Sequence, residues 1–85
     1  MEVIWSRQAQ ANLAAIARID RPAAERIIRR VEAFAGTRRG DVRKLHGSAD
    51  EWRLRSGEWR AVFAFQTDPL RIEVLRVANR RDAYR

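Results

Sequence analysis

The sequence predicts a single α+β domain, residues 1–85, in which an N-terminal helical hairpin packs on a small, mainly antiparallel sheet in the order β-α-α-β-β-β. Two segments between residues 7 and 36 place apolar residues at helical spacing. The second half instead contains short strand-like runs, separated by turns with glycine or proline. A chain of 85 residues suffices for one modest core.

The first two elements are a short strand and a helix, joined at Ser6. Residues 2–5 are predicted as the strand, and Ser6 is a favourable N-cap for a helix that begins near Arg7. The apolar stripe of this helix consists of Ala9, Leu13, Ile16 and Ala17.

A second helix follows after a short break, so the two helices should form an antiparallel hairpin. Asp20 is its predicted N-cap, and Pro22 lies in the first turn, where a missing N–H costs nothing. Gly36 stands where a C-terminal residue with left-handed backbone is expected. The apolar stripe of this helix comprises Ala24, Ile27, Ile28, Val31, Phe34 and Ala35.

The polar, glycine-containing segment 37–50 is predicted mostly as loop, with Leu45 as its one large apolar anchor. Strands are predicted at residues 51–55, 59–67 and 71–77. Residues 56–58 and the Asp68-Pro69 pair supply the turns between them.

Net charge points to a polyanionic partner. The chain has 18 basic and 11 acidic residues, a net charge of +7, and Lys44 is its single lysine. Arginine binds phosphate bidentately and stacks on bases, so this bias fits nucleic acid. A GC-rich genome that favours arginine codons is an alternative cause of the bias. Residues 38–85 hold 12 of the basic and 7 of the acidic residues, so the second half is the predicted binding part.

Composition excludes several other classes of protein. The absence of cysteine excludes disulfides and thiolate metal sites, and is consistent with a cytoplasmic location. No stretch approaches the roughly 20 apolar residues of a membrane span. The first residues lack the basic and apolar regions of a signal peptide. A single histidine without clustered carboxylates predicts no metal site, and no phosphate-binding glycine loop or cofactor motif is present.

Arginines in and after the predicted strands form the candidate site. Arg53 and Arg55 are two residues apart on one strand and therefore share a face, opposite Trp52 and Leu54. Arg60 follows across the turn, and Arg80 can return to the same end of the sheet. Together the four guanidinium groups can bind a phosphate and stabilise the charge of a pentacoordinate transition state. Alternatively, they keep an exposed sheet face soluble.

Tyr84 and His46 are two further candidates. Tyr84 can stack on an unpaired base or act as a general acid or base; the alternative is a tail anchor that packs on the sheet. His46 is the one side chain with an unperturbed pKa near neutrality, although a lone histidine in a loop is usually just a polar residue.

The chain resembles toxins of the RelE/ParE superfamily, which belong to bacterial type II toxin–antitoxin systems. Members of this family share short motifs in a fixed order. These are leucine–any–glycine, then aromatic–basic–leucine–arginine, then glycine–any–aromatic–arginine, and finally a basic pair and a tyrosine. The resemblance runs almost from end to end, and its stretches here are Val3-Ile4-Trp5-Ser6, Lys44-Leu45-His46-Gly47, Trp52-Arg53-Leu54-Arg55-Ser56-Gly57-Glu58-Trp59-Arg60 and Arg80-Arg81-Asp82-Ala83-Tyr84-Arg85.

The resemblance implies a microbial-ribonuclease scaffold and, in the RelE-like branch, an mRNA endoribonuclease that acts in the ribosomal A site without a metal. A ribose 2′-OH attacks the adjacent phosphate, giving a cyclic phosphate and a free 5′-OH. By position, Arg53 and Arg55 match the basic pair of that site, Arg60 its phosphate-binding arginine, Arg80 the residue that stabilises the leaving group, and Tyr84 the tyrosine that stacks on or orients the substrate. Further predicted substrate-binding residues are Lys44, His46, Arg81 and Arg85.

This sequence departs from RelE-like relatives at two points. Their basic pair is often lysine, whereas arginines stay charged and cannot readily act as a base. Many relatives also carry a histidine where this chain has Asn79. The proton acceptor is therefore Tyr84, His46 or a group of the ribosome, or the reaction relies on electrostatic stabilisation alone.

The resemblance also implies the partners. These are mRNA, the ribosome with its 16S rRNA surface, and an antitoxin whose disordered segment folds around the basic domain. The alternative is a ParE-like toxin that shares the fold but inhibits DNA gyrase and has no nuclease activity. The basic residue Arg80 and the tyrosine Tyr84 favour the RelE-like branch, since ParE-like members generally lack that ending.

Overall fold

The structure, a computed structural model, describes residues 1–45, 47 and 50–83. Two helices follow the first strand, and four more strands complete the chain, so the α+β prediction is confirmed. In chain order the elements are β1 (Glu2–Trp5), α1 (Arg7–Ile19), α2 (Arg21–Thr37), β2 (Val42–Lys44), β3 (Glu51–Ser56), β4 (Trp59–Gln66) and β5 (Arg71–Asn79).

The five strands form one mixed sheet in the order β1-β5-β4-β3-β2. The pair β1 and β5 is parallel, and the other three pairs are antiparallel. Both helices contribute buried residues to one core with one side of the sheet, here called the helical face. The opposite side, which the helices leave uncovered, is here called the open face. Successive residues of a strand alternate between these two faces.

Both predicted helix starts are confirmed by side-chain capping. The Ser6 hydroxyl accepts a hydrogen bond from the backbone N–H of Ala9 at 3.0 Å. A carboxylate oxygen of Asp20 accepts one from Ala23 N–H at 3.1 Å, and Pro22 lies in the first turn of α2. Each bond satisfies one of the N–H groups that a helix start leaves without an intrahelical partner.

The predicted end of α2 is wrong. Gly36 lies inside the helix, and the left-handed residue is Arg38, with φ 61°. Its backbone N–H donates to Phe34 O at 2.7 Å, and the Thr37 hydroxyl donates to Ala33 O at 2.8 Å. These two bonds satisfy carbonyls of the last turn and allow the helix to continue past the glycine.

The main core lies between the helices and the helical face. Phe34 of α2 packs against Phe63 and Phe65 of β4, with ring centroids 5.6 and 6.3 Å apart. The fully buried side chains of this core are aliphatic except for Phe63, as expected for a small domain that depends on close packing. The largest of them are Phe63, Ile27, Leu54, Ile72, Val31 and Val74.

Strand β2 is a correction to the predicted loop at 37–50. Val42, Arg43 and Lys44 pair with Leu54, Arg53 and Trp52 of β3. Three residues with a single apolar member contain too little alternation to be recognised as a strand. The strand forms because the outer edge of β3 offers unpaired backbone groups that need partners.

A second, smaller core lies on the open face. Leu45, Val62 and Ala83 are buried together there, with exposed fractions of 7%, 0% and 0%, so the predicted anchoring role of Leu45 is confirmed. The chain reaches this core after β5 by a turn in which Asp82 N–H and Ala83 N–H donate to Asn79 O. Residues 80–83 therefore fold back over the sheet. Within the described residues, neither helix is long and apolar enough to cross a membrane.

Candidate nucleic-acid interface

Arginines are paired directly with one another on the open face. Arg43 of β2 lies opposite Arg53 of β3, and Arg55 of β3 lies opposite Arg60 of β4. Leu54 between Arg53 and Arg55 is buried in the main core, so these arginines belong to the opposite side of the sheet. Like charges at directly opposed positions destabilise a sheet. Two such pairs side by side therefore favour a function for the open face over a purely structural role.

Arg55 is the most accessible member of the predicted basic pair. Its side chain is 57% exposed, and a guanidinium nitrogen lies 3.8 Å from a carboxylate oxygen of Asp41. A surface ion pair of this kind contributes about 0–1 kcal/mol, so a phosphate group can readily displace the Asp41 carboxylate from Arg55. Arg53 is half-buried beside it. The predicted pair thus shares one face of β3.

Arg60 is buried, with 9% of its surface exposed. Its Nη1 donates to Gly57 O at 2.8 Å and to Trp59 O at 3.0 Å. Its Nε is also buried and has no hydrogen-bond partner among the described residues. Arg60 therefore holds the β3–β4 turn through its backbone carbonyls, a role that the strand pattern did not indicate.

Arg80 lies at the same turn. Its backbone N–H donates to Glu58 O at 2.8 Å, and its Nε lies 3.1 Å from Glu58 Oε2. The two side chains are 56% and 66% exposed, so this ion pair is also open to solvent. A shallow depression of about 480 Å³ lies here, lined by Glu58, Asn79, Arg80, Arg81 and Asp82. The structure thus brings Arg80 and Arg81 to the end of the sheet that holds Arg55 and Arg60.

Lys44 lies apart from the arginines. It pairs with Trp52, a residue of the helical face, and its Nζ is 6.0 Å from the centroid of the Trp52 ring. The predicted site residues His46, Tyr84 and Arg85 lie outside the described residues. Within residues 1–45, 47 and 50–83, no group of three histidine or carboxylate side chains could hold a metal ion.

Two arginines of the open face were missed in the sequence. Arg43 could not be found because β2 was not recognised as a strand. Arg76 could have been found, since it precedes the buried Val77 in a predicted strand. One nitrogen of Arg76 lies 3.3 Å from Glu51 Oε1, and another donates to Ala83 O at 3.2 Å. Arg76 therefore connects the sheet to the segment that folds back over it.

A family model described as the ParE toxin of type II toxin–antitoxin systems, parDE, matches residues 3–84. The chain belongs to this family. It is a type II toxin of the RelE/ParE superfamily, and the resemblance seen in the sequence is confirmed at that level. A comparison with curated protein sequences found no significant match.

Solved structures similar to this toxin include both RelE and YoeB proteins. The YoeB/ParE toxin from Agrobacterium tumefaciens is 23% identical with a TM-score of 0.77, and the match covers 93% of this chain and 98% of that one. RelE in the RelE–RelB complex of Pyrococcus horikoshii is 22% identical, with a TM-score of 0.72 and coverage of 96% and 97%. The match in the RelB–RelE antitoxin–toxin complex of Methanococcus jannaschii is 17% identical with a TM-score of 0.70, and it covers 95% of this chain and 94% of that one. These similarities show the RelE-like fold of the toxin.

Proposed function

We propose that this toxin is a ribosome-dependent endoribonuclease of the RelE type, which cleaves mRNA in the A site by attack of a ribose 2′-OH and so stops translation. The observation that supports this best is that arginines lie directly opposite one another at two places on the open face, Arg43 opposite Arg53 and Arg55 opposite Arg60. A phosphodiester bound there removes the repulsion that the unliganded sheet carries.

In this proposal the arginines act by electrostatic stabilisation. Arg53 and Arg55 hold the scissile phosphate on β3 and offset the negative charge that develops as the phosphorus becomes pentacoordinate. Arg80, at the adjacent turn, stabilises the 5′ oxygen as the P–O bond breaks. Arg60 fixes the turn that supports both strands, and binds phosphate only if its two carbonyl bonds are exchanged.

Proton removal from the 2′-OH is assigned to a group other than these arginines, because a guanidinium stays protonated in proteins. Tyr84 and His46 are the two candidates that this chain offers, and a group of the ribosome is the third. The proposed reaction needs no metal ion, since charge on the phosphate is offset by guanidinium groups alone.

We also propose that an antitoxin covers the open face. The similar RelE structures from P. horikoshii and M. jannaschii are complexes with RelB. A net charge of +7 favours an acidic partner segment that folds on binding, and the exposed ion pairs of Arg55 and Arg80 leave both groups accessible to it. Such a segment would lie across the residues that follow β5.

Inhibition of DNA gyrase is the second candidate function. It is favoured by the matching family model, whose description names ParE. It also fits the engagement of Arg60 with backbone carbonyls, which removes one of the predicted phosphate ligands from the solvent-exposed surface.

Two assays on the purified toxin separate the candidates. We expect cleavage of mRNA at the A site of programmed ribosomes, with little cleavage of the same RNA in the absence of ribosomes. Arg55→Gln should lower the cleavage rate about 10- to 100-fold, because it removes one charge-assisted contact to the transition state. This decrease corresponds to a rise of about 1.4–2.8 kcal/mol in the activation free energy. Arg21→Gln is the control, because Arg21 is exposed at the start of α2, beside Glu25.

The opposite pattern rejects the nuclease. If ribosomes yield no cleavage while the toxin inhibits gyrase supercoiling, the ParE-like function is correct. If Arg55→Gln and Arg21→Gln cleave equally fast, the open face does not contain the reacting phosphate.

A further inference from the structure

A basic cleft lies at the edge of the sheet where β3 extends beyond β2. Strand β2 pairs with β3 only as far as Leu54, so the edge at Arg55 borders the loop at residues 39–41 instead of another strand. The cleft has a volume of about 510 Å³ between this edge and α2, and its polar lining is Arg30, Arg39, Asp41 and Arg55. It joins the two faces of the sheet, because Leu54 belongs to the helical face and Arg55 to the open face.

The positive charge of this cleft is poorly compensated. Within the described part of the chain, neither Arg30 nor Arg39 forms an ion pair, and Asp41 is the only carboxylate in the lining. That carboxylate lies 3.8 Å from Arg55 and is itself 48% exposed. The polar lining therefore has a net charge of +2, from 3 arginines and 1 aspartate.

The cleft is also partly ordered in advance. Nη1 of Arg30 donates to the hydroxyl of Ser56 at 3.3 Å, and Ser56 is only 4% exposed. The buried hydroxyl holds the long side chain at the rim without neutralising it. The rim also contains Gly40 and Gly57, neither of which presents a side chain. A ligand can thus approach the backbone closely beside Arg30, whose position is already restricted.

We propose that this cleft binds a phosphate of the same RNA strand that crosses the open face, so that the strand bends around the edge of β3. The proposal rests on the proposed function for the identity of the strand. The phosphate in the cleft is a second one, held by Arg30 and Arg39, and Arg55 lies between it and the reacting phosphate. A phosphodiester fits better than a carboxylate side chain, because the guanidinium groups of Arg30 and Arg39 are both available and Arg55 connects the cleft directly to the arginines of the open face.

Equilibrium binding of a non-cleavable RNA tests the proposal without any catalytic step. The probe is a single-stranded RNA of about twelve nucleotides, within the range of known single-strand sites, in which every ribose carries a 2′-O-methyl group. Fluorescence anisotropy is measured between about 50 and 200 mM salt, where the number of phosphate contacts determines the slope of log K against log salt.

We expect Arg30→Gln and Arg39→Gln each to weaken binding about 3- to 10-fold at the lower salt, and to reduce the steepness of the salt dependence by about 0.7, the value for one lost single-strand phosphate contact. Asp41→Asn should act in the opposite direction and tighten binding, because it removes the one carboxylate of the cleft. Arg21→Gln removes the same charge from an exposed residue that does not line the cleft, and it should leave the salt slope unchanged.

Several outcomes overturn the proposal. If Arg30→Gln and Arg39→Gln bind RNA like the Arg21→Gln control, the cleft has no phosphate, whether or not the ribosome assay supports the nuclease. If they bind RNA normally but lose affinity for a glutamate-rich peptide, the cleft is a protein-binding site. If they weaken RNA binding while programmed ribosomes yield no cleavage, the proposed activity fails and the RNA-binding cleft stands.

Discussion

Arg55 and Arg60 are direct neighbours across two strands, yet their environments differ. Arg55 has a side chain that is 57% exposed and a loose ion pair with Asp41, whereas Arg60 is 9% exposed and donates two hydrogen bonds to backbone carbonyls. The alternation along β3 predicted that Arg55 lies on the face opposite Leu54, and the structure has it so. The alternation could not predict burial, because Arg60 is buried where its guanidinium reaches two backbone carbonyls of the turn.

Replacing Arg60 with alanine tests the structural role of this residue. We expect the free energy of unfolding to fall by about 1–3 kcal/mol, because two carbonyls lose charge-assisted hydrogen bonds. Arg55→Ala, which removes an exposed side chain, should change it by no more than about 0.5 kcal/mol. Urea unfolding followed by tryptophan fluorescence gives both values, and equal losses would show that the bonds of Arg60 add nothing net.

At the scale of elements, Ser6 lies between β1 and α1 and connects both to β5. Its hydroxyl accepts from Ala9 N–H and donates to Leu75 O at 2.7 Å, so one side chain caps α1 and fixes it to β5. Its backbone N–H also donates to Val74 O at 3.0 Å. The sequence predicted the cap, which is a local property. The link to β5 depends on a strand 69 residues away and could not be predicted.

Ser6→Ala should therefore cost more than the loss of an ordinary cap. We expect a decrease of about 2 kcal/mol or more in the free energy of unfolding, compared with about 1 kcal/mol for Asp20→Ala, which loses only the bond from Ala23 N–H. Thermal or urea unfolding of the two variants checks the difference. An equal effect at both caps would mean that the bond to Leu75 contributes nothing.

Two glycines provide a matched pair with opposite expected effects. Gly57 has φ +59° in the β3–β4 turn and Gly36 lies within α2, and an added Cβ would have no atom within 4 Å at either position. The two alanine substitutions therefore differ only in the backbone conformation that the new residue must adopt. Gly57→Ala should destabilise by about 1–2 kcal/mol, and Gly36→Ala should stabilise by about 0.5–1 kcal/mol. Unfolding midpoints measure both, and the same sign for both would contradict the conformational explanation.

At the scale of the whole molecule, the domain has two cores on opposite faces of one sheet. The larger core joins the helices to the sheet, and the smaller one joins the returning C-terminal segment to the open face through Leu45, Val62 and Ala83. Since Ala83 is fully buried only three residues after Arg80, the small core restricts where Arg80 can lie. The open face therefore has a packed centre with arginines around it.

Ala83→Asp tests whether this small core positions the site. A buried carboxylate without a partner costs more than an unpaired neutral polar group, for which the cost is about 1–3 kcal/mol, so the segment should detach from Val62 while the main core remains folded. We expect shifted NMR signals of the Val62 methyl groups and loss of toxicity in growing cells, with the helical circular dichroism retained. Ala83→Ser, which adds one small hydroxyl, is the milder control. Unchanged Val62 signals in Ala83→Asp would show that the segment does not depend on this contact.

Local properties of the sequence determined most of the fold and the family. Helix caps, the apolar stripes of both helices, the three long strands and the superfamily resemblance depend on neighbouring residues or on an ordered succession of residues. The same alternation predicted that Arg53 and Arg55 share a face.

Only the tertiary structure decided how these parts meet. Strand β2 exists because the edge of β3 needs partners, Arg60 is buried because a turn offers two carbonyls, and Arg30 and Arg39 join Arg55 at one cleft although they come from α2 and the loop after it. The physical reason is the same in each case. Backbone hydrogen bonding and charge depend on which residues are neighbours in space, and residues from α2, the following loop and β3 become neighbours only when the helices pack on the sheet.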